Sequence, residues 1–289
     1  MKNLFAASVL FAAGLSGCAS ASEPAVSRKS LTSGNVTVYD YGELKLHAGA
    51  TNDPLNDQWY ILESRDALVG IELPPFRQGL EEWKSYLHSL GKPMSALFVD
   101  AHPAGGSYAE GITVYSTEAA EKAIAGGSTA STTAGLYAAF GEDFRGNDIA
   151  AVGRTVSGAV TAGGIRFNVI GRGDTYDLEI PDLKLIYTHM LGGKVHSILP
   201  GAAAAEEMLK TCRGYQKAGY DMILSGHCTP EGQEAVAEKI AYLETAEKIM
   251  RQCSTSEEFI SAMKEKFPDY EGENYLRMSA GFLYPQTQK

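Results

Sequence analysis

From Asn35 onward the chain alternates short β-type runs with longer stretches of helical periodicity. Val36-Thr37-Val38-Tyr39, Leu44-Lys45-Leu46-His47, Trp59-Tyr60-Ile61-Leu62-Glu63 and Ala67-Leu68-Val69-Gly70-Ile71-Glu72 are β-branched or aromatic runs broken by Gly, Asp and Pro, which predicts four strands. Gly79 to Leu90 places Leu80, Trp83, Tyr86, Leu87 and Leu90 on one stripe and predicts an amphipathic helix. A buried-type strand follows over Ala96 to Asp100, then a strand at Thr113-Val114-Tyr115 and a short helix over Glu118 to Ile124. Gly126 to Gly135 has little to bury and reads as a loop or a mobile helix start. Strand patterning resumes over Gly164 to Ile170, and Leu178-Glu179-Ile180 with Leu183 to Tyr187 predicts a hairpin around Pro181-Asp182. Ala202 to Gly214 is helical, Asp221 to Leu224 is a last buried strand, and Glu231 to Gln252 is a long helix, after which Ser254 or Ser256 is placed to cap another. Such interleaving of strand and helix predicts a layered α/β fold.

Composition narrows this picture rather than changing it. With 289 residues, 44% hydrophobic and 21% charged, the chain is an ordinary globular one of one large domain or two small ones. A net charge of −10 argues against a nucleic-acid or anionic-lipid surface, which needs clustered Lys and Arg.

The first residues read as a targeting segment. Lys2 precedes an apolar run, Leu4 to Leu15, too short to span a bilayer as a mature helix, and Leu15-Ser16-Gly17-Cys18 resembles a bacterial lipobox. Residues 1–17 are then a lipoprotein signal peptide, Cys18 the lipidated residue, 18–34 a tether, and 35–289 the folded domain; an ordinary signal peptide cut near Ala19-Ser20-Ala21 is the alternative. The expected location is the periplasm-facing bacterial cell envelope, with membrane contact only through the lipid anchor. Cys212, Cys228 and Cys253 remain after processing, an odd number that excludes a disulfide scaffold.

The chemistry concentrates at Asp100-Ala101-His102-Pro103-Ala104-Gly105-Gly106, where an apolar strand runs into a loop of metal-ligand residue types and then glycines. Similar strand-end positions recur at Gly173-Asp174-Thr175, Tyr187-Thr188-His189 and Ser225-Gly226-His227-Cys228-Thr229-Pro230. In this order the segments resemble the landmarks of the metallo-β-lactamase superfamily over Val36 to Tyr284. Glu72 stands for the Asp of its Ile-Asp-Thr-Gly strand end, and Asp100 to Gly106 for its His-x-His-x-Asp-His loop. Asp174 stands at the Gly-His-Thr histidine, His189 at the bridging Asp, and His227 in the Pro-Gly-His-Gly-x-Pro segment.

The resemblance implies one domain with a four-layer αββα sandwich. It also implies metal-dependent hydrolysis at a remodelled site, because Ala104 and Gly105 replace two ligands and leave at most one ion, zinc or another divalent metal, or none. His102, Asp174 and His227 are the expected metal ligands; Asp100 or His189 would ligate as well or act as base, and His196 would contact a small-molecule substrate. The alternative is a non-catalytic relative that binds a ligand or partner in the same cleft, with His189 a satisfied strand-end imidazole and Asp174 a turn residue. No Gly-x-Ser-x-Gly elbow or phosphate-binding Gly-rich loop supports a serine hydrolase or nucleotide reading.

Overall fold

The structure, a computed structural model, describes residues 23–285. The signal peptide expected over 1–17 and the lipidation expected at Cys18 lie outside the described residues. Strands β1 (Ala25–Ser30), β2 (Gly34–Asp40), β3 (Lys45–Thr51), β4 (Gln58–Glu63) and β5 (Leu68–Ile71) form an antiparallel meander. Helix α1 (Arg77–Leu90) then crosses to β6 (Met94–Phe98), and β7 (Val114–Ser116) and β8 (Arg154–Thr155) continue the sheet in parallel. Between β7 and β8 lie helices α2 (Glu118–Gly126) and α3 (Ser128–Phe140). The second sheet holds β9 (Gly158–Ala162), β10 (Ile165–Arg172), β11 (Thr175–Ile180) and β12 (Leu185–Thr188), all antiparallel, and β13 (Met222–Ser225), parallel to β12. Helix α4 (Ala202–Ala218) makes the crossover to β13, and α5 (Gln233–Met250), α6 (Ser256–Lys266) and α7 (Glu273–Leu283) complete the chain.

Three apolar clusters define four layers. Between the sheets, Leu46, Tyr60, Leu62, Ile71 and Phe98 of the first meet Phe167, Leu178, Leu185, Tyr187 and Leu224 of the second. Trp59, Ile61, Leu97 and Val99 turn the other way, against Leu80 and Trp83 of α1. Ile186 and Ile223 face Leu209, Tyr242, Leu243, Phe259 and Leu276 of the outer helices. Because side chains alternate along a strand, neighbours such as Tyr60 and Ile61 serve opposite layers, as an αββα sandwich requires.

Two expectations are corrected and one is resolved. The segment 18–34 is not all tether: Ala25–Ser30 pairs in full register with Asn35–Asp40. Of the two readings of Gly126 to Gly135, a loop or a helix start, the structure shows the second: most of the segment opens α3, a 13-residue helix in which Thr129 and Thr133 are buried. Helix α6 is capped by neither Ser254 nor Ser256 but by Thr255, whose side chain accepts from the Glu258 N–H. Among the described residues no helix is long and apolar enough to cross a membrane.

Candidate metal centre

The carboxyl ends of β6, β12 and β13 converge at one edge of the sandwich, and each is followed by a histidine: His102, His189 and His227. Glu72, just past β5, fixes the first. Its carboxylate accepts the backbone N–H groups of Asp100 (3.0 Å), Ala101 (3.2 Å) and His102 (3.0 Å) and the Tyr187 hydroxyl (3.0 Å). Those bonds wrap the loop after β6 around one buried carboxylate, and Glu72 itself adopts the left-handed conformation, with φ 60°. The Gly226 N–H donates to the His189 carbonyl at 2.8 Å and its own carbonyl accepts the Gln58 N–H at 2.8 Å, which ties the second and third histidines to β4.

The three imidazoles form one group whose ligand nitrogens all lie within 4.8 Å of one another. The Nε2 atoms of His102 and His227 are 3.2 Å apart. Two nitrogens bonded at about 2.0–2.1 Å to one tetrahedral ion stand about 3.3–3.4 Å apart, so this spacing fits shared coordination. The donor set also fits electrostatically. Burial, with the neighbouring imidazoles, holds His102 well below the ordinary histidine range, and burial beside His227 pushes His189 down to about 3. Both are therefore neutral at pH 7 and offer lone pairs. Burial lowers His227 too, but Asp57 outweighs it and raises the group overall. The Nδ1 atoms of His102 and His189 are buried and lack hydrogen-bond partners among the described residues.

Asp57, which sequence reasoning did not single out, is fully buried at the end of the loop between β3 and β4. Its Oδ1 lies 3.2 Å from His227 Nδ1 and 3.8 Å from His102 Nε2. Burial pushes its carboxyl up to about 7.

Other expected residues stand elsewhere. Asp100 is buried, but its Oδ1 accepts the Tyr176 N–H at 3.1 Å, so it faces β11 rather than joining the imidazole group. Asp174 is exposed at the β10–β11 turn, where it accepts a hydrogen bond from Ser128 Oγ at 2.7 Å. His196 is buried against Tyr242 and Tyr270 in the helical layer, with Nδ1 3.3 Å from the Tyr242 hydroxyl, and does not line the cavity. Ala104 and Gly105, which follow His102, carry no donor side chain. Ala104 is buried with Phe76 and Phe144, and a Cβ on Gly105 would meet Leu80 at 2.5 Å.

The three histidines open into a cavity of about 250 Å³ roofed by α3. Leu55, Pro75, Leu136 and Phe144 make it apolar, Thr129 and Thr133 add hydroxyls, and no Lys, Arg, Asp or Glu lines it among the described residues.

Solved structures share this architecture. A β-lactamase domain protein from Burkholderia ambifaria superposes with a TM-score of 0.58 at 14% identity, covering 85% of this chain and 88% of its own. A metallo-β-lactamase family protein from Thermus thermophilus gives 0.57 at 13% identity, covering 83% and 91%. A stereoselective inverting sec-alkylsulfatase from a Pseudomonas species gives 0.56 at 16% identity, covering 86% of this chain and 49% of its own. The fold is thus that of the metallo-β-lactamases. No family model matches the chain, and no curated protein matches it in sequence.

Proposed function

We propose that this chain is a mononuclear metallohydrolase in which His102, His189 and His227 hold one zinc or similar divalent ion. The observation that carries the reading is the 3.2 Å separation of the His102 and His227 Nε2 atoms inside a three-histidine group. When bound, such an ion activates water and polarises a carbonyl. The chain's own residues supply the rest. The apolar walls and the α3 roof exclude bulk water, and the threonine hydroxyls offer hydrogen bonds to a bound carbonyl compound. With no charged side chain in the lining and about 250 Å³ of space, the cavity suits a small uncharged ester, lactone or amide. As part of the same proposal, the protein is an exported lipoprotein, cleaved before Cys18 and held on the periplasm-facing side of a bacterial membrane by acyl chains.

Metal analysis of purified protein tests the reading. We expect one ion per chain, lost in His102→Ala, His189→Ala and His227→Ala, together with metal-dependent hydrolysis of a neutral ester such as p-nitrophenyl acetate. Metal-free protein whose thermal midpoint is indifferent to zinc and to chelator would instead favour a non-catalytic ligand-binding relative, since an ion bound only to the folded state must stabilise it. A Cys18→Ala variant is expected to move the protein from the membrane pellet to the soluble fraction.

A further inference from the structure

The loop between β3 and β4 carries two carboxylates with different surroundings. Asp53 builds the loop: its Oδ1 accepts the N–H groups of Leu55 (2.9 Å) and Asp57 (3.2 Å), and its Oδ2 accepts the Thr51 hydroxyl. The side chain of Asp57 takes no part in that structure. It is fully buried, and neither of its oxygens has a hydrogen-bond partner among the described residues. A buried carboxylate in that condition is unfavourable unless a cation faces it.

Two basic groups do face it. Oδ1 is 3.2 Å from His227 Nδ1 and 3.8 Å from His102 Nε2. His227 Nδ1 donates to the Leu55 carbonyl at 3.2 Å, so one short loop presents a carbonyl acceptor and a carboxylate to one edge of the ring. That arrangement keeps the proton on Nδ1 and leaves the Nε2 lone pair, on the opposite edge, facing His102.

We infer that Asp57 is the positioning residue of this centre: it orients His227 and supplies the negative charge that balances a cation held by three neutral imidazoles. The inference rests on the metal-site reading above. It assigns Asp57 a place behind the ligand and not among the ligands, because its nearer approach is to His227 Nδ1 and it does not belong to the group of clustered ligand atoms. Carboxylate partners of ligating histidines typically change metal affinity by about 10–100-fold.

The experiment is a cobalt titration of chelator-treated full-length protein at pH 7.5, followed by the visible absorption of the bound ion, with the thermal midpoint of the metal-free form measured alongside. Asp57→Asn is expected to weaken cobalt binding by about 10–100-fold and alter the absorption band, while the metal-free midpoint stays level or rises. Asp57→Glu is expected to recover part of the affinity. Equal affinity in wild type and Asp57→Asn overturns the inference alone. So does an affinity loss matched by the fall in midpoint that Asp53→Asn produces, since that is the signature of a loop-building role. Should Asp57→Asn fail to fold, Asp57→Ser supplies the same comparison. Wild-type protein that takes up neither cobalt nor zinc overturns the metal-site reading and this inference with it.

Discussion

The Glu72 carboxylate accepts the His102 backbone N–H at 3.0 Å, which makes an acid at the end of β5 the anchor of a histidine at the end of β6. The same carboxylate holds the N–H groups of Asp100 and Ala101 and the Tyr187 hydroxyl. Gln at this position keeps the shape but turns an amide N–H₂ toward donors. We expect Glu72→Gln to cost about 2–4 kcal/mol in urea unfolding, the range for breaking a buried charged network. It should also weaken metal uptake, because the His102 backbone is then no longer fixed. Stability and metal affinity both unchanged would show that the loop holds its shape without the carboxylate.

The buried histidines set an acid limit. His102 and His189 stay neutral in the folded chain well below the ordinary value of about 6.5, while in the unfolded chain they protonate near it. Below pH ~6.5 the unfolded state therefore binds protons that the folded state refuses, and stability falls as pH falls. Each such group contributes a slope of up to about 1.4 kcal/mol per pH unit. His227, raised overall despite its burial, acts in the opposite sense, and so do Glu72 and Asp100, whose carboxyls burial raises. Removing one histidine isolates its share. Metal-free His189→Gln should show a shallower loss of unfolding free energy between pH 6.5 and 5 than wild type, by about one proton's slope. Parallel profiles would mean that His189 protonates freely in the folded state.

Most of the scaffold was legible because its strands serve two apolar layers. Runs such as Trp59 to Leu62 and Ala96 to Val99 have no solvent face, and their β-branched and aromatic residues declare them. The edge strand β1 was not legible, since Ala25–Ser30 is exposed at every position and carries no alternation. Helix α3 was legible only as one of two alternatives, loop or helix start, for a related reason: its Ser, Thr, Ala and Gly residues form no apolar stripe, and its buried face is two threonines. At the site, His102, His189 and His227 were legible as strand-end positions, although the roles divided among them differ from their common geometry. Asp174 carries the right chemistry but sits on a hairpin turn, where its carboxylate reaches α3. Asp57 was hidden because Asn-Asp-Pro-Leu-Asn-Asp reads as a turn, and nothing local distinguishes a carboxylate that builds a loop from one the loop delivers to an imidazole.

The glycine between Ser225 and His227 leads to a steric prediction. A Cβ on Gly226 would stand 2.9 Å from His102 Cε1 and 3.0 Å from the His189 carbonyl oxygen. The carbonyl is held by the Gly226 N–H itself and has little room to yield, so the His102 ring must move. We expect Gly226→Ala to fold with a loss of about 1–3 kcal/mol, typical of overpacking. Its metal affinity should fall by at least about tenfold, a change of about 1.4 kcal/mol in binding, as read by competition with a chromophoric chelator. Wild-type affinity would mean that the three imidazoles tolerate displacement and are not a tuned site.

Asp174 and His196 separate chemistry from architecture. Asp174 is exposed and pairs with Ser128 at the rim, so Asp174→Ala should leave both the metal content per chain and the thermal midpoint near wild type. His196 packs against Tyr242 and Tyr270, and its N–H donates to the Glu271 carbonyl at 2.9 Å, which joins the segment after β12 to the start of α7. His196→Ala leaves a void among aromatic rings, and a loss of about 2–4 kcal/mol is expected from the removed contacts and the residual cavity. Its metal content should nevertheless match wild type once the protein is folded, because no atom of His196 belongs to the three-histidine group. Elemental analysis of the two variants beside their melting curves makes the division visible. Metal loss in Asp174→Ala would return that carboxylate to the ligand set and require the β10–β11 turn to fold inward when the ion binds.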